Sequence, residues 1–311
     1  MRGYLATESA SHHGTMDSRW IGQLSLTLAL LMVWAAPAQA QPVVTSVTGC
    51  GRITKSGIYN LDSPSVTSSG SGDCITIAAA NVMLNLNGST ITGSASGAGL
   101  HVTGSNAFIE GRGATISNFA DGIEIDGAKA ALENFIVTGN SDAGLYLKSA
   151  TQASISNFSA DTNANDGVRI SKGSYNTIVG KVRATNNGRY GVWLLSTTHN
   201  NVGGFFVEDN AIAGVYTGCS GDGPLGAPCK PAVPVSKSNA IFDGSVQASS
   251  DGAQTYGVII DTGNDSNRVT NISSPSPYEK FDLDDENPEC AHNAWLGNGV
   301  IFSLTPTDCI H

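Results

Sequence analysis

The sequence has few charged side chains, and among them cations are the minority. Charged residues make up 14% of the 311 residues, with 16 Lys and Arg against 26 Asp and Glu and a formal net charge of −10. Proteins that bind nucleic acid present a basic surface to the phosphates, so this balance argues against a nucleic-acid partner. The hydrophobic share of 40% excludes a disordered chain, which would be poor in apolar residues and rich in charge.

Long apolar segments are also missing, with one exception near the start. Residues 21–40 form an apolar stretch that ends in Pro37 and Ala38-Gln39-Ala40. This pattern is typical of a secretory signal peptide with an A-x-A cleavage site, and the stretch is too short to span a membrane comfortably. We therefore predict a signal peptide region over residues 1–40, with Met16 as an alternative true start. The mature chain is expected to be secreted or periplasmic, with no membrane attachment after cleavage.

Cysteine is scarce, and no two cysteines have the C-x-x-C spacing that would support a zinc site. An even number of cysteines in an exported chain instead indicates disulfide bonds. The six cysteines form three couples that are close in sequence. The simplest prediction pairs neighbours: Cys50 with Cys74, Cys219 with Cys229, and Cys290 with Cys309.

A repeat runs through almost the whole of the remaining chain. The pattern Gly-apolar-x-apolar recurs at steps of 22 to 24 residues, apart from one step of 43. Residues 218–237 lie inside that long step, and removing these 20 residues restores a step of 23, so we predict an inserted loop there. The copies begin at Gly99, Gly122, Gly144, Gly167, Gly191, Gly214 and Gly257, and Cys74-Ile75-Thr76-Ile77 fits as an earlier copy.

A second set of apolar residues recurs with the same period. Its members are Ile109, Leu132, Ile155, Ile178 and Val202, and Asn or Gly follows several of them. Short β-prone segments separated by Gly, Asn and Ser turns, at a period near 23, are typical of a solenoid of strands. Helical repeats need longer amphipathic segments and leucine-rich repeats need a strict Leu/Asn pattern, and neither is present. We predict an all-β fold, a single parallel β-helix of about eight rungs, with a rise of about 4.8 Å per rung.

Both ends of such a stack expose sheet edges that must be covered. Residues 41–80 are predicted to form the N-terminal cap and first rung, pinned by Cys50–Cys74. Residues 81–273 form the β-helix with its inserted loop, which a Cys219–Cys229 bridge would close. Residues 274–311 form the C-terminal cap, pinned by Cys290–Cys309.

These repeats, together with the segment CITIAAANVMLNLNGSTITG at residues 74–93, resemble bacterial right-handed parallel β-helix repeat proteins of the pectate-lyase-like superfamily. The resemblance covers nearly all of the predicted mature chain and implies the fold. It implies no single function, because the fold hosts lyases, hydrolases, epimerases, tailspikes and adhesins. The Gly-His-Gly of polygalacturonase-like hydrolases, the Asp-Pro-His of alginate-epimerase-like enzymes and the Arg-x-Pro-x-x-Arg of pectate lyases are absent. No catalytic residue is therefore assigned by motif.

In each repeated strand the x side chain points away from the core, because side chains alternate along a strand. The x positions, the positions two residues later and the residues before each Gly form three parallel columns on one outward face. Aromatic residues are only 7% of the chain, yet five of them fall in these columns. Exposed rings in a row suit stacking on sugar rings. The candidates for substrate binding are His101, Tyr146, Tyr190, Trp193, Tyr216 and Tyr256.

Charged side chains occupy the same columns. Glu124 and Asp126 are two residues apart on one side of a strand, about 6.6 Å along it, and glycoside hydrolysis needs two such carboxyls. Lyase or epimerase chemistry would instead need a base and a cation beside the uronate carboxyl. The candidates for the base are Lys148 and Arg169, with Tyr146 and His101 as alternatives. The catalytic candidates are Glu124, Asp126, Asp121, Asp166, Lys148 and Arg169.

Calcium is the candidate cofactor, and no other cofactor is indicated. Its predicted ligands are Asp121, Glu124, Asp126 and Asp166, since calcium prefers oxygen ligands. A bound cation would also offset the electrostatic repulsion between an acidic protein and an acidic polymer. The dense acidic segment at residues 281–289 lacks the spaced EF-hand pattern, and we interpret it as a solvated terminal loop.

Two classes of function follow from the outward face. The first is an exported protein that binds or processes an extracellular or cell-wall polysaccharide, as a lyase, an epimerase or a glycoside hydrolase. The alternative is a non-enzymatic surface or structural β-helix protein, or a lectin-like binding module. Under the structural reading the same side chains only solvate the sheet and pair across its strands, and Asp121 and Asp166 only shape turns.

Overall fold

The structure is a computed structural model that describes residues 43–218, 234–250, 253–275 and 281–299. All of them belong to one compact unit, Pro42–His311. They form an all-β parallel solenoid of about nine turns, in which the described residues include no α-helix. Within these ranges, no helix has the length and apolar character that crossing a bilayer requires. The predicted fold class is confirmed.

The repeated segments stack into a ten-stranded parallel sheet, here called the repeat sheet. Each strand aligns with its counterparts one period away, so that Ile123 lies between Leu100 and Leu145. The apolar positions form buried ladders inside the solenoid. The strands are Gly51–Ile53, Ile75–Ile77, Ala98–Val102, Asp121–Ile125, Leu145–Lys148, Val168–Ser171, Tyr190–Leu195, Ala213–Thr217, Tyr256–Ile260 and Phe281–Asp285.

The glycine that opens each repeat is required by close packing. A Cβ on Gly122 would lie 2.7 Å from the backbone oxygen of Gly144 and 3.1 Å from Cβ of Val137. Real Cβ atoms do not approach backbone this closely, because protein interiors are already close-packed. The glycine period in the sequence therefore marks the place where successive turns touch.

The other strands form a fourteen-stranded parallel sheet, here called the long sheet. Several of its strands bend in the middle, as at Asn134, which has a φ of 63° and marks a register shift between Glu133 and Phe135. A short 3₁₀ helix, Pro288–His292, precedes the last strand. The strands are Val44–Val47, Gly57–Leu61, Ser65–Thr67, Val82–Asn85, Thr90–Thr92, Phe108–Ser117, Ala131–Thr138, Ser154–Asp161, Thr177–Thr185, Asn201–Glu208, Ala240–Phe242, Ser245–Gln247, Arg268–Thr270 and Ala294–Leu296.

Two buried columns of amide side chains join the turns between the sheets. In the first, Asn163 Oδ1 accepts hydrogen bonds from the backbone N–H of Asn140 at 3.2 Å and from Asn140 Nδ2 at 2.9 Å. Repetition of this contact satisfies backbone groups that bend away from the sheets and would otherwise be buried without partners. The first column comprises Asn140, Asn163, Asn187, Asn210 and Gln254, and the second comprises Asn176, Asn200, Asn239, Asn267 and Asn293.

The stack is longer than the predicted eight rungs, because Gly51–Ile53 and Phe281–Asp285 add a strand at each end of the repeat sheet. The interpretation of residues 281–289 as a solvated loop was wrong. Their first five residues pair with Tyr256–Ile260, and Asp282, Asp284 and Asp285 are buried. Charge density in the sequence could not show that this segment continues the repeat. The boundaries of the two caps stay predictions.

The predicted disulfide between Cys50 and Cys74 is confirmed, across a sequence separation of 24. Cys290 is also disulfide-bonded, and its predicted partner Cys309 lies outside the described residues. The signal peptide region with Met16, the Cys219–Cys229 pair and residues 219–233 of the predicted inserted loop lie outside them as well.

Candidate functional site

The outward columns of the repeat sheet change from exposed to buried along the solenoid. The register places all x positions in one line, up to Asp284 next to Ile259. Thr76, His101, Glu124, Tyr146 and Arg169 are partly exposed, whereas Trp193, Tyr216, Ile259 and Asp284 are buried. The part of this surface from strand Ile75–Ile77 to strand Val168–Ser171, with the turn residues that precede these strands, is here called the open face.

His101 lies between two carboxylates on the open face. Its Nδ1 is 2.6 Å from Asp73 Oδ2, and its Nε2 is 3.2 Å from Asp126 Oδ2. Asp73 is itself oriented, because its Oδ1 accepts a hydrogen bond from the backbone N–H of Ala98 at 2.9 Å. Burial lowers the pKa of His101, but the bonds to Asp73 and Asp126 outweigh burial, so the net pKa is raised. His101 is thus a fixed and readily charged group, and its ring is not displayed as a flat sugar-stacking surface.

Glu124 forms an ion pair with the next rung. Lys148 Nζ lies 3.0 Å from Glu124 Oε1, and this bond raises the pKa of Lys148. A more firmly protonated ammonium is a poorer base, so the ion pair contradicts the predicted role of Lys148 as a general base. Its remaining role is to orient Glu124.

The carboxylates of Glu124 and Asp126 converge with His101. One ligand atom from each of the three side chains lies within 4.8 Å of the others, and no further group of this kind occurs among the described residues. Two oxygens and one imidazole nitrogen could hold a divalent cation. Of the four predicted calcium ligands, only Glu124 and Asp126 belong to this group.

Asp121 sits beside this group, at the start of the same strand. Its Oδ1 accepts a hydrogen bond from the backbone N–H of Ala143 at 3.1 Å. Burial raises the pKa of Asp121, and the nearby charge of Asp142 raises it further, to about 7. Asp121 is therefore a carboxyl that carries a proton for much of the time near neutral pH.

Arg169 is enclosed by carboxylates and aromatic rings. Its Nε donates to Asp166 Oδ2 at 2.8 Å, and its Nη1 and Nη2 donate to Asp142. Its guanidinium lies 5.0 Å from the ring centre of Tyr146 and 5.5 Å from that of Trp193. Burial lowers the pKa of Arg169, but the bonds to the two carboxylates outweigh it and the net pKa is raised.

Two predicted roles are wrong for this cluster. Arg169 cannot act as a base, because it stays charged and fully engaged. Asp166 is 0% exposed and bonded to Arg169, so it reaches neither a substrate nor the calcium ligands proposed with it. Alternation along the strand placed Arg169 outside the core, and the repeat placed Asp166 in a column of the same face, but neither could show that the two form an ion pair.

The expected exposure of Tyr190, Trp193 and Tyr216 was wrong. These rings form a cluster with Ala213 and Ile259, apart from the interior core. The ring centres of Tyr190 and Tyr216 are 4.4 Å apart, Trp193 Nε1 donates to Gly218 O, and the Tyr216 hydroxyl donates to Asp261. Rings one rung apart stack on each other, which removes them from solvent. Tyr146 and Tyr256 remain partly exposed.

The sequence reasoning did not assign Asp73 or Asp142, both of which orient groups of the site. Asp73 occupies the column before the glycines, one rung before the first clear copy of the repeat. Asp142 lies two residues before Gly144, in a turn column next to those considered. The repeat period alone would have found both positions if the turn residues had been aligned along with the strands.

Comparisons with known proteins agree with the fold. The family model described as right handed beta helix region matches residues 46–210 and 98–274, which together exceed half of the chain. No curated protein matches the chain.

Three solved structures illustrate the likeness. The endo-xylogalacturonan hydrolase of Aspergillus tubingensis has a TM-score of 0.62 and 14% identity, over 86% of this chain and 88% of that one. The mannuronan C-5 epimerase A-module of Azotobacter vinelandii has a TM-score of 0.61 and 12% identity, over 85% and 86%. The Dettilon tailspike protein has a TM-score of 0.54 and 10% identity, over 82% and 61%. At such identities the likeness shows the fold alone.

Proposed function

The chain belongs to the right-handed β-helix family, and from that premise we propose that its open face binds an extracellular glycan and cleaves it by glycoside hydrolysis. The similar structures include proteins named as a polysaccharide hydrolase and a polysaccharide epimerase, which supports a glycan as the ligand class. The site residues support hydrolysis within that class.

The observation that carries the proposal is the placement of three carboxyls with different partners on, or directly after, the strand Asp121–Ile125. Asp121 has a pKa of about 7 and can donate a proton to a leaving oxygen. Glu124 lies in an ion pair with Lys148, and Asp126 is bonded to His101. Glycoside hydrolysis uses two carboxyls, one of which donates a proton to the leaving oxygen.

The spacing of Glu124 and Asp126 constrains their roles. An inverting pair of acid and base is separated by about 6.5–9.5 Å to admit a water molecule. Glu124 and Asp126 offer atoms within 4.8 Å of each other, too close for that arrangement. In our proposal Asp121 gives its proton to the glycosidic oxygen as the bond from that oxygen to the sugar carbon breaks. A water molecule adds to that carbon and gives a proton to Glu124 or Asp126.

Elimination or epimerisation of a uronate fits the open face less well. Both reactions need positive charge to stabilise an enolate-like intermediate. The two predicted cations of the face are already paired, Lys148 with Glu124 and Arg169 with two aspartates. A divalent cation bound by the His101 group would remedy this, so the test includes calcium.

The experiment compares the secreted protein with Asp121→Asn, Glu124→Gln and Asp126→Asn on neutral glycans, pectins, alginates and glycosaminoglycans, each with and without calcium. New reducing ends without absorbance from new double bonds are expected from the parent protein. Each variant should lower turnover by about 100-fold or more, the usual contribution of an acid or base. Glu133→Gln, a partly exposed carboxylate of the long sheet, is the matched control and should keep full turnover.

Three results would contradict the proposal. Double-bond products that depend on calcium would show a lyase. Binding without turnover on the whole panel would leave a lectin-like module. Turnover that survives the three substitutions would place the chemistry away from the open face.

A further inference from the structure

A line of bent residues divides the long sheet along the axis of the solenoid. At least one residue in each of seven successive turns adopts a positive φ, between 47° and 82°. Each bend turns the strand away from its first direction and leaves a concave surface outside it. The bent residues are Gly113, Asn134, Asn157, Lys181, Gly204, Asp243 and Asn271.

Two cavities lie along this line and share lining residues. One has a volume of about 730 Å³ and extends from Lys181 to Ser273, and the other has a volume of about 340 Å³ and extends from Gly113 to Arg183. Both are lined by Lys181 and Arg183, so they adjoin along the line of bends and are described together as one groove. Six rung steps separate Gly113 from Asn271, which corresponds to about 29 Å at the usual strand spacing.

We propose that this groove, here called the bend groove, is a second glycan-binding site that holds a linear glycan along the solenoid axis. It is separate from the open face, since it lies on the long sheet and shares no residue with the repeat sheet. The inference takes its ligand class from the proposed function, and it adds a site that tethers the polymer without cleaving it.

The lining has the two kinds of surface that a sugar chain needs. Phe206 is partly exposed beside the bend, and the Arg183 guanidinium lies 5.4 Å from its ring centre. Such a ring can take the apolar C–H face of a sugar, with hydroxyl groups directed to polar walls. Lys181, Asp243 and Asn271 supply exposed polar groups on those walls.

The register repeats this lining at the spacing of the rungs. Ile136, Ser159, Arg183, Phe206 and Ser245 align across successive strands, on the outward side next to the bend. Apolar and polar side chains thus recur along a straight line. A polymer of similar units can meet such a line in consecutive subsites, whereas a compact ligand would use only one of them.

A glycan fits the bend groove better than a peptide strand. Peptides add to sheets through unpaired backbone groups at an edge. The groove lies on the face of a sheet, where strands such as Ser154–Asp161 and Thr177–Thr185 are paired on both sides. Charge is also mixed, since Arg183 lies 3.6 Å from Asp161 and 3.7 Å from Glu208, so the groove is not specialised for a polyanion.

The test measures affinity for polymeric glycans, using the same panel, for Phe206→Ala and for the double variant Lys181→Ala/Arg183→Ala. Both should weaken binding of the polymer bound by the parent at least tenfold, and both should keep turnover of a short oligosaccharide. Tyr175→Ala is the matched control. Tyr175 is 58% exposed and stacks on His199, away from the groove, so its loss should leave affinity unchanged. The double variant keeps the test valid if Phe206→Ala fails to fold.

The double variant Glu124→Gln/Asp126→Asn separates this inference from the proposed function. It should lose turnover yet keep polymer affinity if the bend groove tethers the chain. If instead it loses all binding while the groove variants bind like the parent, the second site is overturned. If the parent protein binds a glycan through the groove but cleaves none, the proposed hydrolase activity is contradicted and the proposed second binding site is supported. If the parent protein self-associates and Phe206→Ala makes it monomeric, a second copy of the chain occupies the groove. That result would overturn the proposal.

Discussion

Asp121→Asn is expected to stabilise the protein above pH 7 while lowering its activity. Folding raises the pKa of Asp121 from 3.8 to about 7, chiefly through burial. A carboxyl with a raised folded pKa binds its proton more tightly in the folded state than in the unfolded state. Ionising it therefore costs stability, with no cost well below pH 3.8, a growing cost between pH 3.8 and about 7, and the full cost above that window.

The magnitude follows from the width of that window. A shift of about three pH units at about 1.4 kcal/mol per unit corresponds to at most about 4 kcal/mol. This is an upper bound, because Asp121 is partly exposed and solvent screens its charge. An asparagine carries no charge, and its Oδ1 can still accept the hydrogen bond from the backbone N–H of Ala143.

Urea unfolding of the parent and of Asp121→Asn at pH 4 and pH 8 measures the effect. The difference in the free energy of unfolding should stay below about 1 kcal/mol at pH 4 and be clearly larger at pH 8, while remaining below the upper bound of about 4 kcal/mol. Since both proteins share every other titrating group, the difference isolates Asp121. An equal difference at both pH values, or a variant that is less stable at pH 8, would refute the burial argument. The same titration predicts that turnover by the parent declines as pH rises through 7, because the proposed acid loses its proton.

The remaining predictions concern the stability of the solenoid. Asn163→Ala should lower the free energy of unfolding by about 2–6 kcal/mol, because two donors of Asn140 lose their acceptor and each buried unpaired donor costs about 1–3 kcal/mol. A change below about 1 kcal/mol in urea unfolding would show that the amide column is dispensable. Replacing Cys50 and Cys74 by Ala should cost about 3 kcal/mol, since their bridge closes a loop with a sequence separation of 24. Equal unfolding midpoints for that variant and the parent would contradict this estimate.

The fold was predictable because its main constraint is periodic. Each opening glycine marks a contact with the backbone of the next turn, and each apolar pair marks the inside of a strand, so a fixed spacing implies a fixed register. The buried amide columns escaped prediction. Asn163 and Asn187 lie in turns, where asparagine is common for local reasons, and nothing in their local sequence distinguishes an asparagine that bonds to its own turn from one that bonds to the next.

The candidate site was predictable in position but not in protonation or exposure. The alternation of side chains placed Glu124, Asp126 and His101 together on one outward face of the sheet, and the structure brings one ligand atom of each within 4.8 Å of the others. It also placed Trp193 outward, but that ring is 4% exposed. Alternation determines which side of a sheet a residue occupies, and it contains no information on what packs against that side.

By itself, the sequence determined the class of the fold, the direction of every repeated side chain and the neighbourhood of the carboxylates, because these depend on spacing along the chain. Only the tertiary structure decided which of those groups are paired, buried or protonated. Asp121 has a pKa near 7, whereas Asp166 forms an ion pair with Arg169, although both residues precede a glycine in the same column. Their difference arises from neighbours one turn away, and the electrostatic effect of those neighbours depends on distance and burial in space, which no repeat period specifies.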